Sequence, residues 1–367
     1  MTSTLRRRQL LAAAAASPAL ALPAFAQERR FDPQPGPWRS FDVTTRVEVA
    51  DVKGTTRLWL PVPDLDTDWQ QTVDTTWTGN ATQARLARDT KKGVGLFVAE
   101  FAPAVTQPVL SVTSRVRTRN RFVDWKQAAP AKEGPAVLRA ALEPTELLPL
   151  DGIVAETARK VTAGAKTDVD KVRAIYDWVI ASAHREPKTR GCGTGDIKAM
   201  LETGNLGGKC ADLNALFVGL ARASGVPARD IYGLRLAPSA FPYKELSANS
   251  AGLKGAQHCR AEVFLKAHGW VAMDPADVLK VMRQETAEWI KDVRDPVAAP
   301  VNAALFGHWE GNWVGWNTGH DLGLPGSAAK GTLPFLMYPN GENESGRFDE
   351  LAPDDFKYTI SAKEVAA

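Results

Sequence analysis

The sequence predicts an α+β fold in two parts, a β-rich sandwich-like domain followed by a domain in which helices pack on an antiparallel sheet. Three observations support this prediction. Apolar and polar residues alternate over 41–49, an apolar stripe with helical spacing covers 172–180, and two strand-like segments flank a turn at 266–269. Strands followed by helices and then a hairpin are the element order expected of an α+β protein.

The N-terminal domain is predicted from short strands with one buried face. Residues 41–49 place Phe and Val on odd positions, which is the period-two pattern of a half-buried strand. The same pattern recurs at 58–60, 95–101 and 109–116. Turn-rich stretches such as 76–84 separate these runs. We expect a sandwich-like domain over residues 27–130, with a Pro-, Ala- and Gly-rich linker at 127–135.

Two helices are predicted at the start of the second domain. Thr167 and Asp170 form a capping-box pattern at a helix start, and the stripe that follows consists of Val172, Ile175, Tyr176, Val179 and Ile180. The next helix begins at Cys210 and ends before Gly225, with Pro227 just beyond. Leucine and phenylalanine side chains share one face of this second helix, so that face is expected to pack on the domain.

Strand-like segments follow the second helix, and they complete the second domain. These segments are 230–236, 257–265 and 270–273, and a turn at 266–269 separates the last two. We expect this domain to span residues 143–300. Residues 301–367 are rich in Trp, Gly and Asn, and we expect them to form a C-terminal extension packed on its core.

The first residues have the composition of an export signal. Arg6–Arg8 precede an alanine- and leucine-rich run, and Ala24-Phe25-Ala26 is a small-x-small cleavage pattern. The apolar run is too short for a stable membrane span, and no later run approaches the roughly 18 apolar residues that a span needs. We therefore expect residues 1–26 to be a signal peptide, of twin-arginine type because Gln9 and two leucines follow the arginines. The mature protein is expected in the periplasm without membrane insertion.

The charge balance argues against nucleic acid as a partner. The chain has 45 Lys and Arg against 42 Asp and Glu, a net charge of +3. Three of the arginines belong to the predicted signal, so the mature chain has equal numbers of basic and acidic residues. Without a basic excess, binding to nucleic acid or to an anionic membrane surface has no electrostatic support.

Cys210 is the residue with the clearest chemical potential. Three cysteines are too few for a disulfide framework, and an odd number leaves at least one thiol unpaired. Cysteine attacks as thiolate, and a helix N-terminus lowers the pKa of a thiol placed there. Gly207 and Gly208, just upstream, are expected to keep the approach to the Cys210 thiol free of side chains.

The predicted hairpin supplies a base and an acid for that thiol. If its turn centres on Ala267, Arg260 lies opposite Asp274, and His258 lies on the same face two residues along. Diagonal cross-strand neighbours have Cβ atoms about 7 Å apart, which an imidazole and a carboxylate can bridge. A one-residue slip of this register would turn Asp274 to the other face.

The segments "GGKCADLNALFVGLARASGVPAR", "QHCRAEVFL" and "GWVAMDPAD" resemble the three motifs of the transglutaminase-like superfamily, thiol enzymes with a papain-related core. The resemblance covers about residues 143–280. It implies Cys210 as nucleophile, His258 as general base and Asp274 as the carboxylate that holds the imidazole. It implies no cofactor, and the backbone amide of Cys210 is the one oxyanion donor that we assign.

The activity implied by the resemblance is acyl transfer from a peptide or protein carboxamide through a thioester. Hydrolysis gives a peptidase or amidase and aminolysis gives a crosslinking transglutaminase; hydrolysis is favoured because the sequence has no evident acidic calcium-binding loop. A non-catalytic periplasmic binding or scaffold protein with the same fold is the alternative of another class. Cys210 as a buried apolar residue, and zinc binding by Cys210, His258 and Asp274, are further interpretations.

Other residues have structural interpretations. A disulfide between Cys192 and Cys259 is opposed by strand alternation, which turns Cys259 away from the His258 side. Three tryptophans of the C-terminal region are Trp309, Trp313 and Trp316. We expect them to anchor this region to the core rather than to line a substrate groove. His308, His320 and Asp321 are expected at the surface or in packing, and His184 and His268 in exposed loops or at helix ends.

Overall fold

A computed structural model describes residues 29–366 except Asp51, Lys254, Pro353 and Asp355. The expected signal peptide, residues 1–26, lies outside the described residues. Within the described part, no helix combines the length and the apolar character that crossing a membrane requires.

The N-terminal part contains six antiparallel strands arranged in two sheets. Their bounds are β1 (Arg39–Glu48), β2 (Thr56–Pro61), β3 (Gln70–Gly79), β4 (Gln83–Arg88), β5 (Gly95–Phe101) and β6 (Val109–Thr118). One sheet contains β1, β6 and β3 side by side, and the other contains β2, β5 and β4. The period-two prediction is confirmed in β1, where Phe41, Val43 and Val47 are buried. The two sheets contribute to one continuous apolar core, as a sandwich-type domain requires.

Strands β3 and β4 were not predicted, because the sequence around 76–84 contains many turn-forming residues. In the structure β3 runs through Gly79, and β4 starts at Gln83 after a short connection. Both strands lie at the edge of a sheet, and most of their residues are exposed or half-buried. An edge strand of this kind has no buried face to produce an alternating pattern, so the periodicity argument does not detect it.

The C-terminal residues take part in the sheets of both domains instead of forming a separate cover. β14 (Asn340–Asn343), β15 (Gly346–Arg347) and β16 (Lys357–Val365) extend the two N-terminal sheets, and β16 pairs with β1 along its whole length. Residues 301–367, expected to pack on the core of the second domain, thus also contribute strands to the N-terminal sheets. Pairing between strands more than 300 residues apart leaves no local signal in the sequence. The boundaries 27–130, 143–300 and 301–367 stay a prediction.

Seven helices of the described chain belong to the second part. Their bounds are α1 (Pro135–Ala140), α2 (Gly152–Val161), α3 (Asp168–Ser182), α4 (Ile197–Thr203), α5 (Cys210–Ala223), α6 (Pro275–Gln284) and α7 (Ala299–Ala304). The predicted capping box at α3 is present, since Asp170 N donates to Thr167 Oγ1 at 3.1 Å and Thr167 N donates to Asp170 Oδ2 at 2.9 Å. Both predicted helices are confirmed.

The second part has one five-stranded antiparallel sheet and a two-residue parallel pair. The sheet contains β9 (Ala228–Arg235), β10 (Arg260–Leu265), β11 (Gly269–Met273), β12 (Phe306–Gly307) and β13 (Trp313–Asn317), in the order β12-β11-β10-β9-β13. The pair is β7 (His184–Arg185) with β8 (Gly207–Gly208). Helix α5 packs on β9 and β10 and is enclosed by α2, α3 and α6, so nearly all of its residues are buried.

The hairpin register is the one that the sequence predicts. Ala261 pairs with Met273 and Leu265 with Gly269, which places Arg260 opposite Asp274. Helices packed on this antiparallel sheet, behind a β-rich N-terminal region, confirm the predicted α+β class.

Candidate active site

Cys210 is the first residue of α5, where the sequence places it. Asp212 fixes this helix start, because its Oδ2 accepts a hydrogen bond from Lys209 N at 3.0 Å. Its Oδ1 accepts from Thr194 N and Gly195 N, both at 2.9 Å. One carboxylate therefore ties the loop before α4 to the N-terminus of α5. The Cys210 side chain is 2% exposed.

The glycines near Cys210 make room for neighbouring side chains, and their expected role in keeping the approach to the thiol free stays a prediction. A Cβ atom on Gly208 would lie 2.5 Å from Asp212 Cβ, and one on Gly207 would lie 2.6 Å from His184 Nε2. Gly193 has φ +91°, and a Cβ there would lie 1.8 Å from Asp212 Oδ2. Close packing around Asp212 therefore explains Gly193 and Gly208.

His258 lies just before β10, and three hydrogen bonds fix its position. Its N donates to Gly233 O at 3.0 Å, and its carbonyl oxygen accepts from Trp313 Nε1 at 2.8 Å. The ring nitrogen Nε2 lies 2.8 Å from Asp274 Oδ2. The imidazole is thus held at one nitrogen by a carboxylate, which leaves Nδ1 for the thiol of Cys210. His258 is 6% exposed.

Asp274 connects the end of β11 to the start of α6. It is the N-cap of α6, and its Oδ1 accepts a hydrogen bond from Asp277 N at 3.1 Å. Pro275 follows as the first helical residue, where a missing amide hydrogen costs nothing. The turn-forming character of the Asp-Pro pair and the contact with His258 therefore occur together, and Asp274 is fully buried.

Asn214 is a site residue that the sequence did not identify. It lies one turn along α5 from Cys210 and is fully buried. Its Nδ2 donates to Cys259 O at 2.8 Å and lies 3.3 Å from Asp274 Oδ1, while its Oδ1 accepts from Ala276 N at 3.3 Å. The i+4 spacing from Cys210 was the available signal. Asn214 joins α5, the residue after His258 and the start of α6.

Charged residues surround the imidazole and its carboxylate. Asp277 Oδ2 lies 3.3 Å from His258 Nε2, and Arg235 Nη2 donates to the same oxygen at 2.7 Å. Arg260 Nε lies 3.4 Å from Asp274 Oδ2. All five of these side chains are buried, so their charges act on one another with little screening by water. Sequence reasoning found Arg260 opposite Asp274 but did not find Asp277 or Arg235.

The three cysteines of the chain meet around Cys210. Cys192 and Cys259 lie close enough to Cys210 to be the two largest influences that lower the pKa of its thiol. Ala211 N also donates to Cys192 O at 2.9 Å, and Cys192 Sγ lies 3.4 Å from Gln257 O. The structure describes all three as free, buried thiols. The regular strand β10 begins only at Arg260, so strand alternation does not determine the direction of the Cys259 side chain.

These contacts shift the pKa of each cysteine. The side chains of Cys192 and Cys259 beside the Cys210 sulfur, together with the hydrogen bond and charge of His258, hold the pKa of Cys210 well below its usual value, despite burial. The hydrogen bond to Cys210 and burial raise the pKa of Cys192, and burial and the same contact raise that of Cys259. Cys210 is therefore the thiol that ionises first.

The pKa of His258 moves in the opposite direction. Burial disfavours its charged form, but the charges of Asp277 and Asp274 outweigh burial and raise the pKa of His258 to about 10. At neutral pH the arrangement therefore favours a thiolate on Cys210 beside an imidazolium on His258. Such a pair is the reactive form of a thiol nucleophile.

The remaining residues singled out in the sequence lie outside this cluster or support it. The three C-terminal tryptophans are buried, in agreement with an anchoring role, and Trp313 also bonds His258. His320 is buried and lies 3.3 Å from Asp230 Oδ2, and His308 Nε2 lies 3.1 Å from Val123 O. His184 and His268 are half-buried instead of exposed, since their rings contact Trp289 and Trp125.

The chain is similar to a known superfamily and to one relative over most of its length. The model of the transglutaminase-like superfamily matches residues 155–275, a range that contains Cys210, His258 and Asp274. An uncharacterized protein of Haemophilus influenzae is 33% identical over 327 residues, which cover 85% of this chain and 87% of that protein.

Two solved structures are also similar. A candidate cysteine protease from Cytophaga hutchinsonii is 16% identical, with 90% of this chain and 99% of that one covered and a TM-score of 0.48. The periplasmic domain of TgpA from Pseudomonas aeruginosa is 18% identical, with 65% and 70% covered and a TM-score of 0.34. The match to the superfamily model, and the 33% identity to the Haemophilus protein over most of both chains, show which family this chain belongs to. The chain belongs to the transglutaminase-like superfamily.

Proposed function

We propose that this protein is an exported thiol acyl-transfer enzyme that cleaves an amide or peptide bond through a thioester. Cys210 is the nucleophile, His258 the general base and acid, and Asp274 the carboxylate that orients the imidazole. The observation that carries the proposal is that the imidazole of His258, held by Asp274 at 2.8 Å, also lowers the pKa of the Cys210 thiol. A buried free cysteine with a purely structural role needs neither partner.

The first half of the reaction forms the thioester. The Cys210 thiolate attacks the carbonyl carbon of the substrate, and the negative charge moves to the carbonyl oxygen. The amide hydrogen of Cys210 has no acceptor within its own helix, because it belongs to the first turn of α5, so it is available to that oxyanion. The carbon–nitrogen bond then breaks as the His258 imidazolium gives its proton to the leaving amine.

The second half releases the acyl group. A water molecule attacks the thioester carbon while neutral His258 takes one of its protons, and the thiolate leaves as the carboxylic acid forms. The imidazolium and thiolate are then restored. A peptide or protein carboxamide is the substrate class that we assign. An amine in place of water would give a crosslinked product.

Differential alkylation tests the nucleophile. Iodoacetamide at pH 6 should modify Cys210 faster than Cys192 or Cys259, as quantified by peptide mass spectrometry. The preference should disappear in His258→Ala. Equal rates at the three thiols of the folded protein, or a rate at Cys210 that does not change in His258→Ala, would refute the catalytic assignment and favour a non-catalytic protein.

Trapping the thioester tests the chemistry itself. Acid quenching during turnover of a peptide library should leave an acyl group on Cys210, and hydroxylamine should remove it. Casein labelling with a fluorescent amine then separates crosslinking from hydrolysis. Steady release of new carboxyl groups without an acylated Cys210 would exclude the thioester route.

Export is a separate part of the proposal and rests on residues 1–26. Replacing Arg7 and Arg8 together by lysine keeps the charge but removes the twin-arginine pair. We expect the precursor of this variant to stay in the cytoplasm of a bacterial host, as seen by cell fractionation. Unchanged delivery to the periplasm would point to a general secretory signal instead.

A further inference from the structure

A second carboxylate lies beside the ring nitrogen of His258. Nε2 is 2.8 Å from Asp274 Oδ2 and 3.3 Å from Asp277 Oδ2. Both carboxylates belong to the start of α6, one as its N-cap and one three residues later. The sequence pattern gives only Asp274 a place in the hairpin, because Asp277 comes after the strand has ended.

Arg235 holds Asp277 in this position. Its Nη2 donates to Asp277 Oδ2 at 2.7 Å, and its Nη1 donates to Leu246 O at 2.8 Å. Both side chains are almost fully buried. Among the described residues, Oδ1 of Asp277 has no hydrogen-bond partner. The contacts of its Oδ2 atom with Arg235 and His258 therefore determine the orientation of the carboxylate. Burying an ion pair costs free energy unless both charges have hydrogen-bond partners. His258 is an additional partner of the Asp277 carboxylate in this pair.

We propose that Asp277 is a second positioning residue of the active site, which together with Asp274 orients His258 and stabilises its imidazolium opposite the Cys210 thiolate. This inference rests on the proposed function. Asp277 does not touch the reacting atoms and acts through His258. Arg235 in turn keeps Asp277 ionised and fixes its direction.

Charge balance explains why two carboxylates are present. With Cys210 as thiolate and His258 as imidazolium, the buried cluster has three anions, namely Cys210, Asp274 and Asp277. It has three cations, namely His258, Arg235 and Arg260. Without Asp277 one buried positive charge would be uncompensated, and proton loss from His258 would relieve it.

The directions of the carboxyl pKa values agree with this division of roles. Burial opposes ionisation of Asp277, but the charges of Arg235 and His258 hold its pKa well below the usual value. Burial and the charge of Asp277 raise the pKa of Asp274. Other titratable or charged groups that face this cluster from packed elements are Tyr176 on α3, Lys280 on α6 and Glu310 before β13.

A metal ion is the competing occupant of the same three side chains. One ligand atom each from His258, Asp274 and Asp277 lies within 4.8 Å of the others. The carboxylate oxygens, however, already face the guanidinium groups of Arg235 and Arg260. Two buried cations neutralise the two carboxylates, so an ion-pair network fits this set of donors better than a divalent ion.

The proton affinity of His258 is the direct readout. It is measured by ring nitrogen NMR in a Cys210→Ser background, where the thiolate does not contribute. Adding Asp277→Asn should lower the proton affinity of His258 at least about tenfold, since an opposite charge within about 4–6 Å has an effect of this order. Asp230→Asn, which removes a buried carboxylate beside His320, should leave it unchanged.

An Arg235→Lys variant provides a second test if Asp277→Asn fails to fold. Lysine keeps the positive charge but cannot donate to Asp277 and Leu246 O at the same time as the guanidinium does. Asp277 is then held less firmly, and the proton affinity of His258 should fall at least about threefold. An unchanged His258 titration in a folded variant of either kind would overturn the proposal. Stoichiometric divalent metal in the purified protein that is lost in Asp277→Asn would also overturn it.

Kinetics of the Cys210 enzyme separate this inference from the proposed function. Asp277→Asn should lower kcat at least about tenfold with little change in KM, and the alkaline limb of the pH profile should move to lower pH. If no amide substrate is cleaved at all, the proposed function fails while the NMR titration still decides the role of Asp277. Equal kcat values at all pH values would count against Asp277 alone.

Discussion

The side-chain amide of Asn214 lies 3.3 Å from Oδ1 of Asp274 and donates to Cys259 O at 2.8 Å, so one residue of α5 supports both ends of the hairpin. Because Cys210 is on the same helix, one turn earlier, this contact sets the distance between the nucleophile and its acid–base partners. Asn214 therefore connects the packing of α5 to the geometry of the site.

Replacing Asn214 by alanine should destabilise the protein and reduce its reactivity together. The variant leaves Cys259 O without its side-chain donor and Ala276 N without its acceptor, and it removes one of the two donors to Asp274 Oδ1, which together costs about 2–4 kcal/mol of unfolding free energy. Urea denaturation measures this loss, and alkylation of Cys210 at pH 6 measures the reactivity. Asn249→Ala, at an exposed position, is the control and should do neither. A stable Asn214→Ala protein with unchanged alkylation would show that Asn214 is not needed.

The two other cysteines should tune the acidity of Cys210. Both side chains lower the pKa of Cys210, so Cys192→Ala and Cys259→Ala should each raise it. We expect alkylation of Cys210 to become several-fold slower at pH 6 in each variant and to change little at pH 9, where thiolate is abundant in either case. Rates measured across the pH range by mass spectrometry give the pKa directly. A pKa of Cys210 that stays the same in both variants would contradict this influence of the two cysteines.

Much of the site could be predicted because its parts are local in the sequence. The turn at 266–269 is short, and strands have a strict period of two, so the register that places Arg260 opposite Asp274 followed from the hairpin alone. Cys210 at a helix start followed from the apolar spacing and from Gly225 and Pro227. These signals lie within about 20 residues of the side chain that they place.

The rest depends on contacts that no local pattern records. Asp277 near the start of α6 meets Arg235 at the end of β9 only in the folded chain. Cys192 lies in a loop in which Gly191, Gly193 and Gly195 all have positive φ. Strand β16 joins β1 from the other end of the chain. Such long-range pairing follows from the packing of the whole fold rather than from propensity or spacing.

Gly193 should be required at its position because of the space it leaves. An alanine there would meet the Asp212 carboxylate and disturb the start of α5, in addition to the cost of about 1–2 kcal/mol for a side chain at positive φ. Gly204→Ala is the matched control, since Gly204 also has positive φ (+67°) but a Cβ there meets nothing within 4 Å. Unfolding free energies should therefore fall further in Gly193→Ala than in Gly204→Ala. Equal losses would mean that the backbone conformation alone explains Gly193.

His258 should make the protein less stable as the pH rises. The thiol of Cys210 should have the opposite effect. Its folded-state pKa of about 10 lies above the value of 6.5 for a free side chain, so its contribution is fully present below pH 6.5 and is lost as the pH rises through about 10. Cys210, with a lowered pKa, contributes in the opposite sense, so the test uses Cys210→Ala as background. In that background the unfolding free energy should fall between pH 6.5 and 10 by at most about 1.4 kcal/mol per pH unit.

The matched comparison for this pH dependence is Cys210→Ala with His258→Gln, whose side chain does not titrate. Its urea unfolding, followed by tryptophan fluorescence, should show a flatter dependence over the same range, because the remaining groups titrate equally in both proteins. The difference between the two curves isolates His258. A difference that stays constant with pH would mean that the imidazole has the same proton affinity in the folded and unfolded chain. The charges of Asp277 and Asp274 would then fail to hold a proton on His258, and the thiolate–imidazolium pair would lose its electrostatic basis.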